Sequence, residues 1–146
     1  MAFTGNAACN SFKVGLPSGV FNLATGTSQV YKIALYTNNA SLDATTAAYT
    51  ASGEVLASGY TAGGYALVVS QAPTVGSTGG TTAYFSFDNA VWASALTARG
   101  ALIYLDNGTT NPAVCVLDFG SDKTSTGTFT VQFPAATNAS AIIRIK

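Results

Sequence analysis

Apolar and polar residues alternate with a period of two through much of this chain. The run at 128–133 shows it most simply: Phe129, Val131 and Phe133 fall on one face, opposite Thr128, Thr130 and Gln132. That is the pattern of a strand with one buried face. The same period runs through 30–37, where Tyr31, Ile33 and Leu35 share a side, and through 65–70, 83–88, 100–106 and 113–119. At 141–146, Ile143 and Ile145 oppose Arg144 and Lys146. The breaks at 59–64, 73–82 and 106–112 are rich in Gly, Thr, Asn and Pro, which supply positive φ or a fixed proline angle. The 106–112 break is too short for a parallel crossover, so it should join antiparallel neighbours. About seven or eight short, closely spaced strands predict an all-β protein, an antiparallel β-sandwich or barrel.

Helix should be sparse. Phe12 and Leu16 stand four apart in a stretch, 8–16, that suits a short helix, which Gly15, Pro17 and Gly19 prevent from continuing. A turn or two could form at 41–49, with Ser41 or Asp43 as cap. The expectation is one domain over 1–146, with 1–24 as a short irregular or helical N-terminal arm. Phe3, Phe12 and Leu16 lie in a Gly/Asn-rich terminus with too little neighbouring pattern to build a core of their own. With Tyr60, in the 59–64 loop, they are the candidate interface residues, for a partner protein or for a second copy. The competing expectation is that the segment folds back over the sandwich.

Composition narrows the chemistry. The chain has 146 residues and is 48% hydrophobic, but only 8% are charged, against about 25% in ordinary domains. Six basic and six acidic residues balance to zero and are scattered, which leaves no basic footprint for nucleic acid and little repulsion between copies. Histidine is absent, which closes the Ser-His-Asp route to hydrolysis. Without histidine, and without a CxxC pair, Cys9 and Cys115 cannot build an ordinary zinc site. Cys115 alternates with Leu117 and Phe119 and reads as a buried structural thiol; whether it meets Cys9 stays open. Asp106, Asp118 and Asp122 are the candidates for a glycosidase carboxylate pair. Asp106 and Asp122 sit in apparent turns, however, and Asp118 should point outward from a strand. Glu54, the sole glutamate, suggests nothing specific. No phosphate-binding glycine motif is present. The tyrosines and Trp92 could stack on sugars, but core and interface packing is the stronger reading. No catalytic residue, cofactor or metal is therefore expected. The start of the chain has neither a basic leader nor a long apolar run, so synthesis in the cytoplasm and no membrane contact are expected.

Residues 30–49, continuing through Gly53, Glu54 and Val55 and through 59–64, resemble a family of small virion proteins of tailed bacteriophages. The stretches 97–104, 113–123 and 141–145 are similar to the same family, so the resemblance covers most of the chain from Asn10 onward. The run from Gly15 to Gly19 departs from it, interrupting a stretch that is more helix-compatible in the family. Some members resemble capsid cement or decoration proteins. The resemblance implies a non-enzymatic antiparallel β-sandwich of jelly-roll type, made in the host cytoplasm and placed on the outer capsid surface. There it would bind the major capsid protein, and itself as a homotrimer, to stabilise the expanded shell, with no nucleic-acid or membrane partner. The alternative is a host-attachment or glycan-binding module of a tail or head fibre.

Overall fold

A computed structural model describes residues 3–76 and 80–146. Over them the chain is an antiparallel β-sandwich with one short helix. In chain order the elements are β1 (Ala7–Ala8), α1 (Asn10–Gly15), β2 (Val30–Tyr36), β3 (Tyr65–Leu67), β4 (Val69–Val75) and β5 (Ala83–Phe87). They are followed by β6 (Ala90–Trp92), β7 (Thr97–Asp106), β8 (Ala113–Thr124), β9 (Phe129–Val131) and β10 (Ile143–Ile145). One layer is a five-stranded sheet in the order β1-β8-β7-β2-β3. As expected, the 106–112 loop joins β7 and β8, which pair antiparallel.

The second layer combines two smaller sheets, β10-β5-β4 and β6-β9. Only Asp88 and Asn89 separate β5 from β6, and the Asn89 Oδ1 accepts the Phe133 N–H at 2.9 Å, so β9 continues the line of β10 along the same neighbour. On the opposite side, β3 and β4 form one run broken at Val68. The β3 part pairs with β2 and the β4 part with β5, so this run passes from one layer to the other and closes that side of the sandwich. Between the layers lies the main core, with Tyr31, Ile33 and Leu35 facing Phe85, Phe87, Phe129 and Ile143.

The alternation breaks down in the central strands, and the structure gives the reason. Both faces of β2 and β7 are buried. A second apolar cluster covers the outer face, where Ala34, Tyr36, Leu102 and Tyr104 meet Phe3, Cys9, Ala40 and Leu42. The N-terminal segment and the long β2–β3 connection supply this cover. In β8 a register shift opposite Ile103 and Tyr104 adds one residue, and Val114 joins Cys115 on the inner cluster. That is what a bulge does to a period-two pattern.

The N-terminal segment is therefore part of the sheet rather than an arm. Residues 1–2 of the expected arm lie outside the described residues; from Phe3 onward the chain is tied down. Phe3 bridges Leu42, Ala7 and Ala8 pair with Val116 and Cys115, and the Cys9 N–H donates to the Val114 carbonyl at 2.9 Å. The helix expected over 8–16 forms at Asn10–Gly15. No helix forms at 41–49; a single turn closes at Asp43, whose carbonyl accepts the Thr46 N–H at 3.1 Å and whose carboxylate accepts the Thr45 N–H at 2.7 Å in the manner of a cap. The 73–82 break begins later than expected, since Pro73 is tolerated inside β4, an outer strand with a free edge. Residues 77–79 of that break lie outside the described residues.

Candidate functional site

The most concentrated polar chemistry gathers on Glu54. The β2–β3 connection crosses the end of β2 so that Glu54 bridges Tyr36 and the Val55 N–H donates to the Leu35 carbonyl at 2.9 Å. This places a carboxylate, 5% exposed, against the sheet without a cationic partner among the described residues. Its charge is met by donors instead: Tyr60 Oη and the Gly63 N–H donate to Oε1, both at 2.7 Å, and Tyr49 Oη donates to Oε2 at 2.6 Å. Hydrogen bonds to a charged acceptor are the stronger kind, and three of them can hold a carboxylate in a dry site.

The donors are themselves held. Tyr60 Oη accepts the Leu35 N–H at 2.9 Å, which links the carboxylate to the β2 backbone. Tyr104 Oη donates to the Gly63 carbonyl at 2.7 Å, and its ring stacks on Tyr49 at 4.8 Å. Tyr36 Oη donates to the Thr50 carbonyl at 2.6 Å. The turn that delivers the Gly63 N–H requires glycine: Gly64 has φ +82°, and a Cβ there would meet the Ile33 carbonyl oxygen at 1.9 Å. Burial, with the Glu54 charge and hydrogen bond adding to it, pushes the Tyr49 hydroxyl up to about 12. Burial also raises Tyr36, Tyr60 and Tyr104, so all four act as neutral donors at ordinary pH. The arrangement clasps a long connection onto the sheet. Glu54 was not among the candidate site residues; its signal in the sequence is that of a sole glutamate between Tyr49 and Tyr60 in a charge-poor chain.

The four candidate interface residues all have partners within the chain. Phe3 is 4% exposed, packed where Gly100 leaves no room for a Cβ and with the Arg99 guanidinium 5.4 Å from its ring centre. Phe12 is 2% exposed and packs its ring on Phe21 and Phe85. Leu16 is half-buried against the same core. Tyr60 stacks on Trp92 while its hydroxyl serves Glu54. Phe3 and Phe12 are thus buried within the chain rather than presented to a partner, Phe3 over the apolar outer face of β2 and β7 and Phe12 in the main core, while Leu16 and Tyr60 stay partly exposed.

Cys9 and Cys115 are both buried and both free, on opposite faces of the sheet. Asp118 pairs with Arg99 and Asp106 with Lys32, so two of the three candidate glycosidase acids are held by cations. Each is held below the usual carboxylate range, chiefly by that partner. Asp122 is exposed in β8, where register shifts open a wide bulge opposite Arg99.

Two grooves open on one side of the sandwich. One, of about 480 Å³, lies between the outer part of β8 and β9, lined by Phe119, Lys123 and Thr128–Gln132. The other, of about 650 Å³, lies between β1 and β10, lined by Asn6, Ala7, Ala8, Ile143, Arg144 and Lys146 among others. Neither reaches Glu54. Comparison of the chain with protein-family models, with curated proteins and with solved structures finds no match.

Proposed function

We propose that the protein is a non-enzymatic structural component of a bacteriophage virion, a cement or decoration protein on the outer surface of the capsid. In this reading it binds the major capsid protein as a homotrimer and stabilises the expanded shell. The observation that carries the reading is the sequence resemblance, which spans most of the chain. The architecture suits the role. Glu54 has its oxygens occupied by structural donors, and two ion pairs take up Lys32, Arg99, Asp106 and Asp118. What is left is a sparsely charged surface of Thr, Ser and scattered apolar side chains, suited to packing beside many copies of a partner.

Its mechanism is differential affinity. A protein that binds the expanded shell more tightly than the precursor shifts that equilibrium by the difference, and bridging two capsomers multiplies the effect through effective concentration. Purified protein added to expanded and precursor shells lacking it should decorate the expanded form at regular positions in a reconstruction. Absence from the shell combined with binding to host cells or their polysaccharide would instead identify a fibre module. A monomeric mass at micromolar concentration would remove the trimer.

A further inference from the structure

We propose that the open side of the sandwich, along β10 and β9, takes an extended acidic segment of another protein as an added strand. The sandwich is closed on one side by the β3–β4 run and open on the other. There β1 ends the five-stranded sheet, β10 ends the sheet it shares with β5, and β9 pairs only with β6. Among the described residues all three leave one edge of backbone donors and acceptors unpaired, and such an edge is a template for another strand. Both grooves run along these edges.

The chemistry of the lining selects the occupant. Lys123 lines one groove, and Arg144 and Lys146 line the other; all three are exposed, and none is in an ion pair among the described residues. No carboxylate side chain lines either groove. In a chain with so few charges, this puts three cations without ion-pair partners among the described residues beside free strand edges. Ala7, Ala8 and Ala141 at the second groove leave room for a backbone to approach. The occupant that fits is an extended segment with small apolar residues alternating with Asp or Glu, the apolar ones turned into the groove and the acids toward the cations.

The other open edge makes the contrast. β4 carries Pro73 and two register shifts, both of which blunt strand addition. Strands β9 and β10 carry neither. A second copy is disfavoured as occupant, because two-fold pairing of this edge with itself would set Arg144 against Arg144, and like charges across strands repel.

The test uses the full chain, isotope-labelled, with a synthetic peptide of about ten residues, the length of a long strand. The peptide alternates Val and Glu, and a control peptide carries Lys in place of Glu. The Glu peptide should slow amide exchange in β1, β9 and β10, and its affinity should fall at least about tenfold in the Lys123→Glu, Arg144→Glu double variant and also weaken with salt. Both substituted residues are exposed, so the variant keeps its fold, which its unfolding midpoint checks. Three results overturn the proposal: unchanged exchange in those strands, equal binding of the Lys peptide, or a free protein that is already a dimer with those amides protected. The experiment contains no shell component, so its failure leaves the cement reading standing, and failure of the cement reading leaves this surface standing.

Discussion

Glu54 and the hydroxyls around it concentrate more buried polar interaction than any other residue of the described chain, so single substitutions there should report strongly on stability. Replacing Glu54 with alanine strands the Tyr49 and Tyr60 hydroxyls and the Gly63 N–H, and a buried donor left without a partner costs about 1–3 kcal/mol. Glu54→Ala should therefore lower stability by about 3 kcal/mol or more in urea unfolding, and Glu54→Gln by less, since one amide oxygen still accepts. Equal midpoints for wild type and Glu54→Ala would show that the clasp carries no net weight. The thiols make a second prediction. Cys9 is fully buried with its pKa pushed up to about 11 by desolvation, and Cys115 is raised further by burial. At pH 8 an aromatic disulfide reagent should label neither in the native protein and both after unfolding. At this scale the chain was partly readable. Alternation identified Cys115 as buried, whereas Glu54 was marked only as the sole glutamate, between Tyr49 and Tyr60, because a period-two pattern holds no record of the turn that delivers the Gly63 N–H.

Among the elements, β1 departs most from what its sequence suggests. Two alanines carry no periodic signal, and their strand exists only because β8 offers an edge on which to pair. Phe3 then reaches over Gly100 and closes the second apolar cluster. Truncating a buried Phe costs about 3–5 kcal/mol. Phe3→Ala should fall in that range, measured by denaturant unfolding, whereas Val14→Ala, at a residue 68% exposed on α1, should change stability by less than about 0.5 kcal/mol. A Phe3→Ala protein as stable as wild type would mean the segment is a detachable arm after all. Alternation read β9 correctly, with Phe129 and Val131 buried on either side of Thr130, but in β10 only Ile143 is buried and Ile145, expected on the same face, is 45% exposed. The central strands β2 and β7 were placed correctly but looked one-sided, since the cover on their outer face comes from residues distant in sequence.

For the whole molecule, pH should set the limits of stability at both ends. Asp43, Asp106 and Asp118 are held below the ordinary carboxylate value in the folded state, by Thr45, Lys32 and Arg99 respectively. Their stabilisation is present above the unfolded carboxylate value of about 4 and is lost as pH falls through the depressed folded values. The tyrosines work the other way. Tyr31, Tyr36, Tyr49, Tyr60 and Tyr104 are raised by burial, so the folded chain holds protons that the unfolded chain releases above about pH 10. Stability lost there should track tyrosinate absorbance, with a plateau from about pH 5 to 9 in the urea midpoint. A midpoint unchanged to pH 12 would contradict the buried hydroxyl cluster.

The sequence alone determined the class of the molecule, because a period of two and short turn-rich breaks admit little besides antiparallel sheet, and a lack of histidine removes whole families of chemistry. It also located most strands and the hairpin at 106–112. Tertiary structure decided which faces are doubly covered, which carboxylate is buried, and which side of the sandwich stays open. Those outcomes depend on pairings between residues far apart in the chain, such as Ala8 with Cys115 and Gly63 with Glu54 and Tyr104. A local pattern records the burial of a residue but carries no address for its partner.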